Sequence, residues 1–415
     1  MEAEIITIGD EICSGDIVDS NSAWLASRLS ELGVVVNWIV TCRDRVEDIE
    51  AAIEWSVNRS RLIFLSGGLG PTSDDLTVDV VSNLLGQPPV VDEPSAARMV
   101  ERYQKRGRTP DKHSRRQCRV PGGARVHANS VGLAPGFEAN YKGSVLFGLP
   151  GPPRELKAIS EQGLFPRIIE LADGAIQPVE SRVYRVFGKG ESETGIALEG
   201  MLDGAPNISL HFRASFPEVL VKLVKESRGG QELSSWDEEV RRRVGRSLYA
   251  IGDDKSLAST VLAELVEQGL TLATAESCTG GGLGAMLTDI SGASRAYHGG
   301  VISYANEVKV SQLGVKSKTL DDHGAVSEQC VLEMAQGVRK ACASAIGVAI
   351  SGVAGPTGGT EEKPVGTVWV AVSDDAGEKA QKVFWQGTRQ QVRKIGAFAA
   401  LSVVLQRVRK DNDGK

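Results

Sequence analysis

A chain of 415 residues is too long for one ordinary hydrophobic core and calls for two or three domains. Its formal net charge of -6 excludes a bulk attraction to nucleic acid or to an anionic membrane, so any basic patch has to be local. The six cysteines, at 13, 42, 118, 278, 330 and 342, form neither a C-x-x-C pair nor a zinc-binding spacing, and they read as reduced thiols.

The start, Met1 to Gly9, is acidic and runs at once into a strand pattern, unlike a basic leader followed by an apolar stretch; a cytoplasmic protein is expected. Strand-like 4–8, helical 22–32, strand-like 34–40, helical 46–58 and strand-like 61–65 follow one another. That rhythm predicts an α/β domain on a parallel sheet. Leu62 to Ser66 reads as an interior strand and Gly67-Gly68-Leu69-Gly70-Pro71-Thr72 as the loop leaving its carboxyl end, where open α/β sheets place ligands. A loop-rich section over 121–136 precedes a strand at 144–149, stopped by Pro150-Gly151-Pro152-Pro153, and a helix is expected from Arg154. The first domain is placed at 1–172.

Residues 173–252 change character, with strands at 183–187 and 220–224 and helices from 192 and around 236–244, and predict a small α+β module. Its Gly188-Lys189-Gly190 lacks the G-x-x-G clamp of an RNA-binding loop, so no nucleic-acid partner is expected. The last part, 253–415, resumes strand–helix alternation, with strands near 270–275, 300–304, 346–351 and 366–372 and a closing helix over 391–408. The uncharged stretch 341–360 is broken by Gly352, Gly355, Pro356, Gly358 and Gly359, which argues against a membrane span. The fold class is therefore α/β, a parallel-sheet domain and a C-terminal α/β domain flanking an α+β module.

Two constellations carry chemistry. In the first, Gly9-Asp10-Glu11, Asp19, Asn21 and Asp44 precede the loop Gly67 to Thr77. Gly67, Gly68, Gly70 and Thr72 can cradle a phosphate on main-chain N–H groups, and Asp10, Glu11, Asp44 and Asp75 are candidate ligands for a divalent cation beside it. The plainer reading makes Asp74, Asp75 and Thr77 helix caps. The loop is neither a Rossmann fingerprint nor a Walker A sequence.

The second is Ala275-Glu276-Ser277-Cys278-Thr279-Gly280-Gly281, entered from the apolar run 270–274. It sets the Ser277 hydroxyl where a buried strand meets a glycine turn, with N–H groups over Thr279, Gly280, Gly281 and Gly282 expected to face an oxyanion. Lys309 is a candidate base for that serine, and Cys278 a rival nucleophile. A lone Ser-Cys-Thr-Gly is more often just a helix cap. Tyr304 is placed to orient Lys309 or the substrate, Asn306 reads as a turn residue and site contact, and the loop with Ser351, Gly352 and Gly355, together with Arg389, as a phosphate clamp.

At the first constellation the chain resembles the MoaB/MogA-like molybdopterin-binding domain. With Val131 to Gly136, Leu149 to Pro153 and Gly188-Lys189-Gly190-Glu191-Ser192 in order, it resembles the CinA family as a whole. The second constellation, with Ser303 to Lys309, Gly324-Ala325-Val326-Ser327, Ser351 to Pro356, Glu362 to Val368 and Gly387-Thr388-Arg389, is similar to the nicotinamide-nucleotide amidase domain. The resemblance implies a dyad of Ser277 and Lys309 that hydrolyses nicotinamide mononucleotide to nicotinate mononucleotide and ammonia without a cofactor. It also implies a metal-dependent ADP-ribose pyrophosphatase activity in the first domain, where Asp44 and Asp75 correspond to the acidic residues of pterin chemistry. A homodimer is expected, and the alternative is a nucleotide-binding regulator of competence or DNA repair without turnover.

Overall fold

The computed structural model describes residues 1–177, 179–225 and 231–412. Residues 178 and 226–230 of the expected middle module, and 413–415 of the last part, lie outside them. Where three parts were expected, the chain divides into two compact units, Met1–Glu180 and Ser181–Lys415, and the sheet of the middle module falls in the second.

The first unit is built on a six-stranded sheet in the order Val35–Cys42, Glu2–Ile8, Leu62–Ser66, Ser144–Leu149, Gly136–Tyr141, Arg125–His127. The first four strands are parallel, as the rhythm implied, and the last two are antiparallel additions. The addition was hard to read because its hairpin turns on Lys142-Gly143, both left-handed at φ 46° and 86°, instead of the usual Asn-Gly or Asp-Gly pair. Ile5 packs with Leu25 and Phe64 on one face while its neighbour Ile6 packs with Ile49 and Ile63 on the other. Helices cover both faces, so the strand is apolar at consecutive positions.

The second unit holds two sheets. The four-stranded one runs Ile208–Ser215, Glu218–Lys225, Glu180–Phe187, Leu248–Ile251, and its first and last strands had no place in the sequence reading. The five-stranded one runs Tyr297–Ile302, Leu272–Glu276, Ile346–Gly352, Thr367–Asp374, Gly377–Phe384. Its first three strands are parallel and its last two antiparallel. Val348 and Ile350 face the helices Leu257–Glu267 and Arg389–Asn412, while Ala273, Ala275, Ala349 and Ala371 face the helix Glu328–Ala341. The small residues let that helix come close: a Cβ on Gly347 would lie 2.2 Å from the Ala335 carbonyl oxygen. Among the described residues, no helix is long and apolar enough to cross a membrane.

The same closeness recurs on the helix's outer side, where a Cβ at Gly337 would lie 1.9 Å from the Leu313 carbonyl oxygen of the helix Asn306–Leu313. Helix propensity favours alanine over glycine by about 1 kcal/mol. Overpacking costs about 1–3 kcal/mol, and a backbone carbonyl cannot rotate away as a side chain can. Gly337→Ala should therefore lower stability by about 1–2 kcal/mol, read as a lower denaturation midpoint. An unchanged or raised midpoint would mean that the two helices separate freely.

Candidate active site

Near the carboxyl ends of the three parallel strands of the five-stranded sheet, Glu276 stands opposite both Ile302 and Ile350. Ser277 continues this edge by donating its N–H to the Ile350 carbonyl at 3.0 Å, and Ser303 by donating to the Glu276 carbonyl at 2.7 Å. Ser277, Ser303 and Ser351 thus form a row at the carboxyl ends of parallel strands, the side on which such sheets bind ligands.

Glu276 organises the turn that follows. Only 2% exposed, its carboxylate accepts the N–H groups of Gly281 and Leu283 at 3.0 Å and of Gly284 at 2.8 Å, covering the start of the helix Gly282–Thr288. The chain can bend back over that carboxylate because Gly280 and Gly281 are left-handed, at φ 57° and 93°. The expected oxyanion donors are corrected accordingly. Gly280 N–H is bonded to the Ser277 carbonyl and Gly282 N–H to that of Thr279, so with Gly281 on Glu276 these three are engaged within the turn. Among the described residues, Cys278 and Thr279 have no carbonyl or carboxylate on their N–H groups, and that of Cys278 lies on its own sulfur.

Lys309 comes from the helix Asn306–Leu313, whose buried residues are Lys309 and Leu313, four apart on one face. It occupies a core position with 1% exposure, its Nζ 3.2 Å from Ser277 Oγ, 2.8 Å from the Ser303 carbonyl oxygen and 3.4 Å from that of Tyr304. Burial pulls its pKa below the ordinary lysine value, against smaller opposing effects of Cys330, Cys278 and Glu307. Cys278, by contrast, is packed in the apolar core with Leu283 and Val368, and burial pushes its thiol up to about 11. A thiol so disposed is a poor nucleophile at neutral pH.

The remaining candidates sort into neighbours and outliers. Tyr304 reaches Lys309 only through its carbonyl; its side chain is 60% exposed, and its hydroxyl accepts from Arg389 Nη2 at 2.8 Å. Arg389 Nη1 donates to the carbonyl of the buried Gly355 at 2.9 Å, so the exposed Tyr304 and Arg389 side chains are tied to that loop. Ser351 is buried and directs its hydroxyl to the Ala325 carbonyl at 2.7 Å. Gly352 ends its strand against the Thr367 carbonyl, and Asn306 is the exposed first residue of its helix. Among the described residues, the buried hydroxyl of Thr279 has no partner. Sequence reasoning missed Glu276, the Ser303 carbonyl and Arg393, which donates to the Thr279 carbonyl at 2.7 Å from the helix Arg389–Asn412. Only Glu276 gave a signal, as a lone carboxylate in an otherwise apolar strand.

The first constellation gathers at the corresponding edge of the first unit. Asp10, Glu11, Asp44, Gly67, Gly68, Gly70, Thr72 and Asp75 line one cavity of about 640 Å³. Asp75 is neither a helix cap nor a free ligand: its carboxylate accepts Gly70 N–H, Thr72 N–H and the Thr72 hydroxyl at 2.6–2.7 Å and clamps the loop. Gly70 has to be glycine for this, since a Cβ would stand 2.5 Å from that carboxylate. With Gly67 N–H on the Leu149 carbonyl, the expected phosphate cradle shrinks to the N–H groups of Gly68 and Leu69. Burial pushes the Asp44 carboxyl up, an N–H bond from Asp10 opposes this, and Glu11, Asp10 and Asp75 add to it. The expected metal set of Asp10, Glu11, Asp44 and Asp75 does not close: among the described residues, no three His, Cys, Asp or Glu side chains are grouped to hold a metal ion.

Residues 4–170 match the family described as a probable molybdopterin binding domain, and residues 254–408 match the CinA C-terminal domain. A putative competence-damage inducible protein of Acetivibrio thermocellus is 34% identical over 414 residues, covering 99% of both chains. A CinA-like protein of Anaeromyxobacter sp. (strain Fw109-5) is 38% identical over 407 residues, covering 97% of this chain and 98% of its own. Among solved structures, the competence/damage inducible protein CihA from Agrobacterium tumefaciens is 36% identical over 39% of this chain and 98% of its own, at a TM-score of 0.36. With relatives aligned from end to end and both domain families matched, the chain belongs to the CinA family.

Proposed function

We propose that the C-terminal part is a serine–lysine amidohydrolase that converts nicotinamide mononucleotide to nicotinate mononucleotide and ammonia. The observation that carries this reading is the Lys309 amine, 1% exposed and 3.2 Å from Ser277 Oγ. Two of its three neighbours are carbonyl oxygens, which can only accept. A neutral amine satisfies both with its two N–H bonds and turns its lone pair to the Ser277 hydroxyl. Burial favours that neutral form, so the base is prepared before substrate arrives.

Ser277 Oγ attacks the carboxamide carbon as its proton passes to Lys309. The carbonyl oxygen takes the negative charge and is held by the N–H groups of Cys278 and Thr279, a kind of donor worth about 3 kcal/mol when preorganised. Lys309 then returns the proton to the nitrogen, the C–N bond breaks, and ammonia leaves. Water enters, loses a proton to Lys309 and cleaves the ester, restoring Ser277. Arg389 and Tyr304, exposed beside this edge, supply a guanidinium and a hydroxyl for the substrate phosphate. The identity of the substrate is supported by the resemblance of the site segments, and the reaction type by the dyad.

A second reading concerns the first unit, whose cavity of about 640 Å³ has room for a nucleotide diphosphate such as ADP-ribose. The N–H groups of Gly68 and Leu69 would meet its phosphates. Because the carboxylates do not form a metal ligand set, no metal-assisted cleavage is assigned to them. Asp75→Ala should loosen the loop and weaken ADP-ribose binding by about tenfold or more in calorimetry, with deamidation unchanged. Full affinity in that variant would remove the loop from the ligand site.

For the dyad, Ser277→Ala should abolish nearly all release of ammonia from nicotinamide mononucleotide, and Cys278→Ala should retain most of it. Lys309→Ala should cost about as much as the serine change, and the double variant little more, because the two groups act as one unit. An active Ser277→Ala protein silenced by thiol alkylation would transfer the nucleophile to Cys278.

The pH dependence has a definite sign. kcat/KM should rise with pH through one ionisation whose midpoint lies below the ordinary lysine value, as Lys309 loses its proton. Lys309→Arg, which cannot lose its proton, should be inactive at every pH. Stability shifts the same way: between the folded and unfolded pKa values of Lys309 the unfolded chain binds more protons, so raising the pH through that window stabilises the fold. A rate flat across the acid and neutral range would exclude Lys309 as the base.

A further inference from the structure

The closing helix Arg389–Asn412 leads from the proposed active site to a second cavity. Ser402, Leu405, Gln406 and Arg409 recur at helical spacing along one of its faces and line a cavity of about 300 Å³ within the second unit. The opposite wall comes from the segment 241–249, which contributes Arg241, Arg246 and Leu248, with Phe187 beside it. At 1.5 Å per residue, Ser402 lies about 20 Å along the helix from Arg389, so this is not an extension of the serine–lysine site.

Its electrostatics are one-sided. Among the described residues three arginines line the cavity and no carboxylate does, in a chain whose net charge is -6. Arg409 is held by Glu264 and by the Tyr249 carbonyl, both at 3.0 Å. Among the described residues Arg241 and Arg246 have neither a carboxylate nor a carbonyl partner; Glu239 is engaged by Arg242 and Arg243 and Glu218 by Arg185, and Glu238, three residues before Arg241 on its helix, is exposed to solvent. Unpaired guanidinium groups converging on a concave surface with apolar walls from Phe187, Leu248 and Leu405 match an anionic group joined to a flat ring.

We infer that this cavity is a binding site for a small phosphorylated aromatic molecule of the nucleoside monophosphate class, its phosphate between Arg241 and Arg246 and its ring against Phe187 and Leu405. The volume, at the lower end of the range for small-molecule pockets, fits one such molecule. The site is independent of the proposed deamidation.

Phenylglyoxal labelling of the full-length protein, resolved by peptide mass spectrometry, tests it at the two arginines themselves. Both should be modified in the free protein. Adenosine 5′-monophosphate should protect both, at a concentration about tenfold or more below that needed with inorganic phosphate, and adenosine alone should not. Ser402→Tyr, which fills the cavity, should leave both arginines reactive but unprotected, and the exposed change Arg246→Glu should abolish protection of Arg241. The inference fails if both arginines are unreactive without ligand, if the monophosphate at millimolar concentration protects neither, if it does no better than inorganic phosphate, or if protection persists in both variants.

Discussion

The second unit's chemistry depends on one carboxylate. Glu276 lies in the middle strand of a parallel trio, and its buried carboxylate engages three main-chain N–H groups of the turn that follows. Without it, the helix Gly282–Thr288 would begin with orphan donors, and the turn would have no reason to fold back across the strand end. With it, the turn satisfies its own later amides, and the two N–H groups immediately after Ser277 have no carbonyl or carboxylate on them among the described residues. The carboxylate takes no part in the proposed proton transfers, yet it decides which N–H groups remain for an incoming oxygen.

Lys309 is the complementary constraint. A lysine in a core position is costly unless it is neutral or paired. Among the described residues no carboxylate reaches this one; its neighbours are two carbonyls and a hydroxyl. All three oxygens can accept, so hydrogen bonding alone would also satisfy an ammonium. Burial without a counter-ion is what favours the neutral amine, and the serine is the group that benefits.

Much of this was legible in the sequence. Ser277 stood out by a local signal, a hydroxyl where a buried strand meets a glycine turn, whereas its pairing with Lys309 came from the resemblance of the segments around both. The parallel core strands of both units were legible from apolar runs such as Leu62 to Ser66. What escaped depends on partners remote in sequence. The hairpin at Lys142-Gly143 has no turn-forming asparagine, Ile208–Ser215 is a half-exposed strand without clean alternation, and Arg393 declares itself only once its helix lies against Thr279. The assignments that changed were main-chain ones. Glycine-rich loops suggest free N–H groups, but here Glu276 and Asp75 each engage much of their own loop, and no sequence pattern distinguishes an amide facing a ligand from one facing a neighbouring carboxylate.

The contact of Gly337 with the Leu313 carbonyl has a consequence for temperature. The helix that carries Lys309 rests on that contact, so its seating governs how dry the amine is. Should the helix lift even briefly, water would reach the amine and the protonated form would return long before the sheet beneath it melted, since local openings need less free energy than global unfolding. On warming, the proposed deamidation would fade reversibly while the circular dichroism is still native, its thermal optimum set by the looseness of one helix and not by the melting point of the fold.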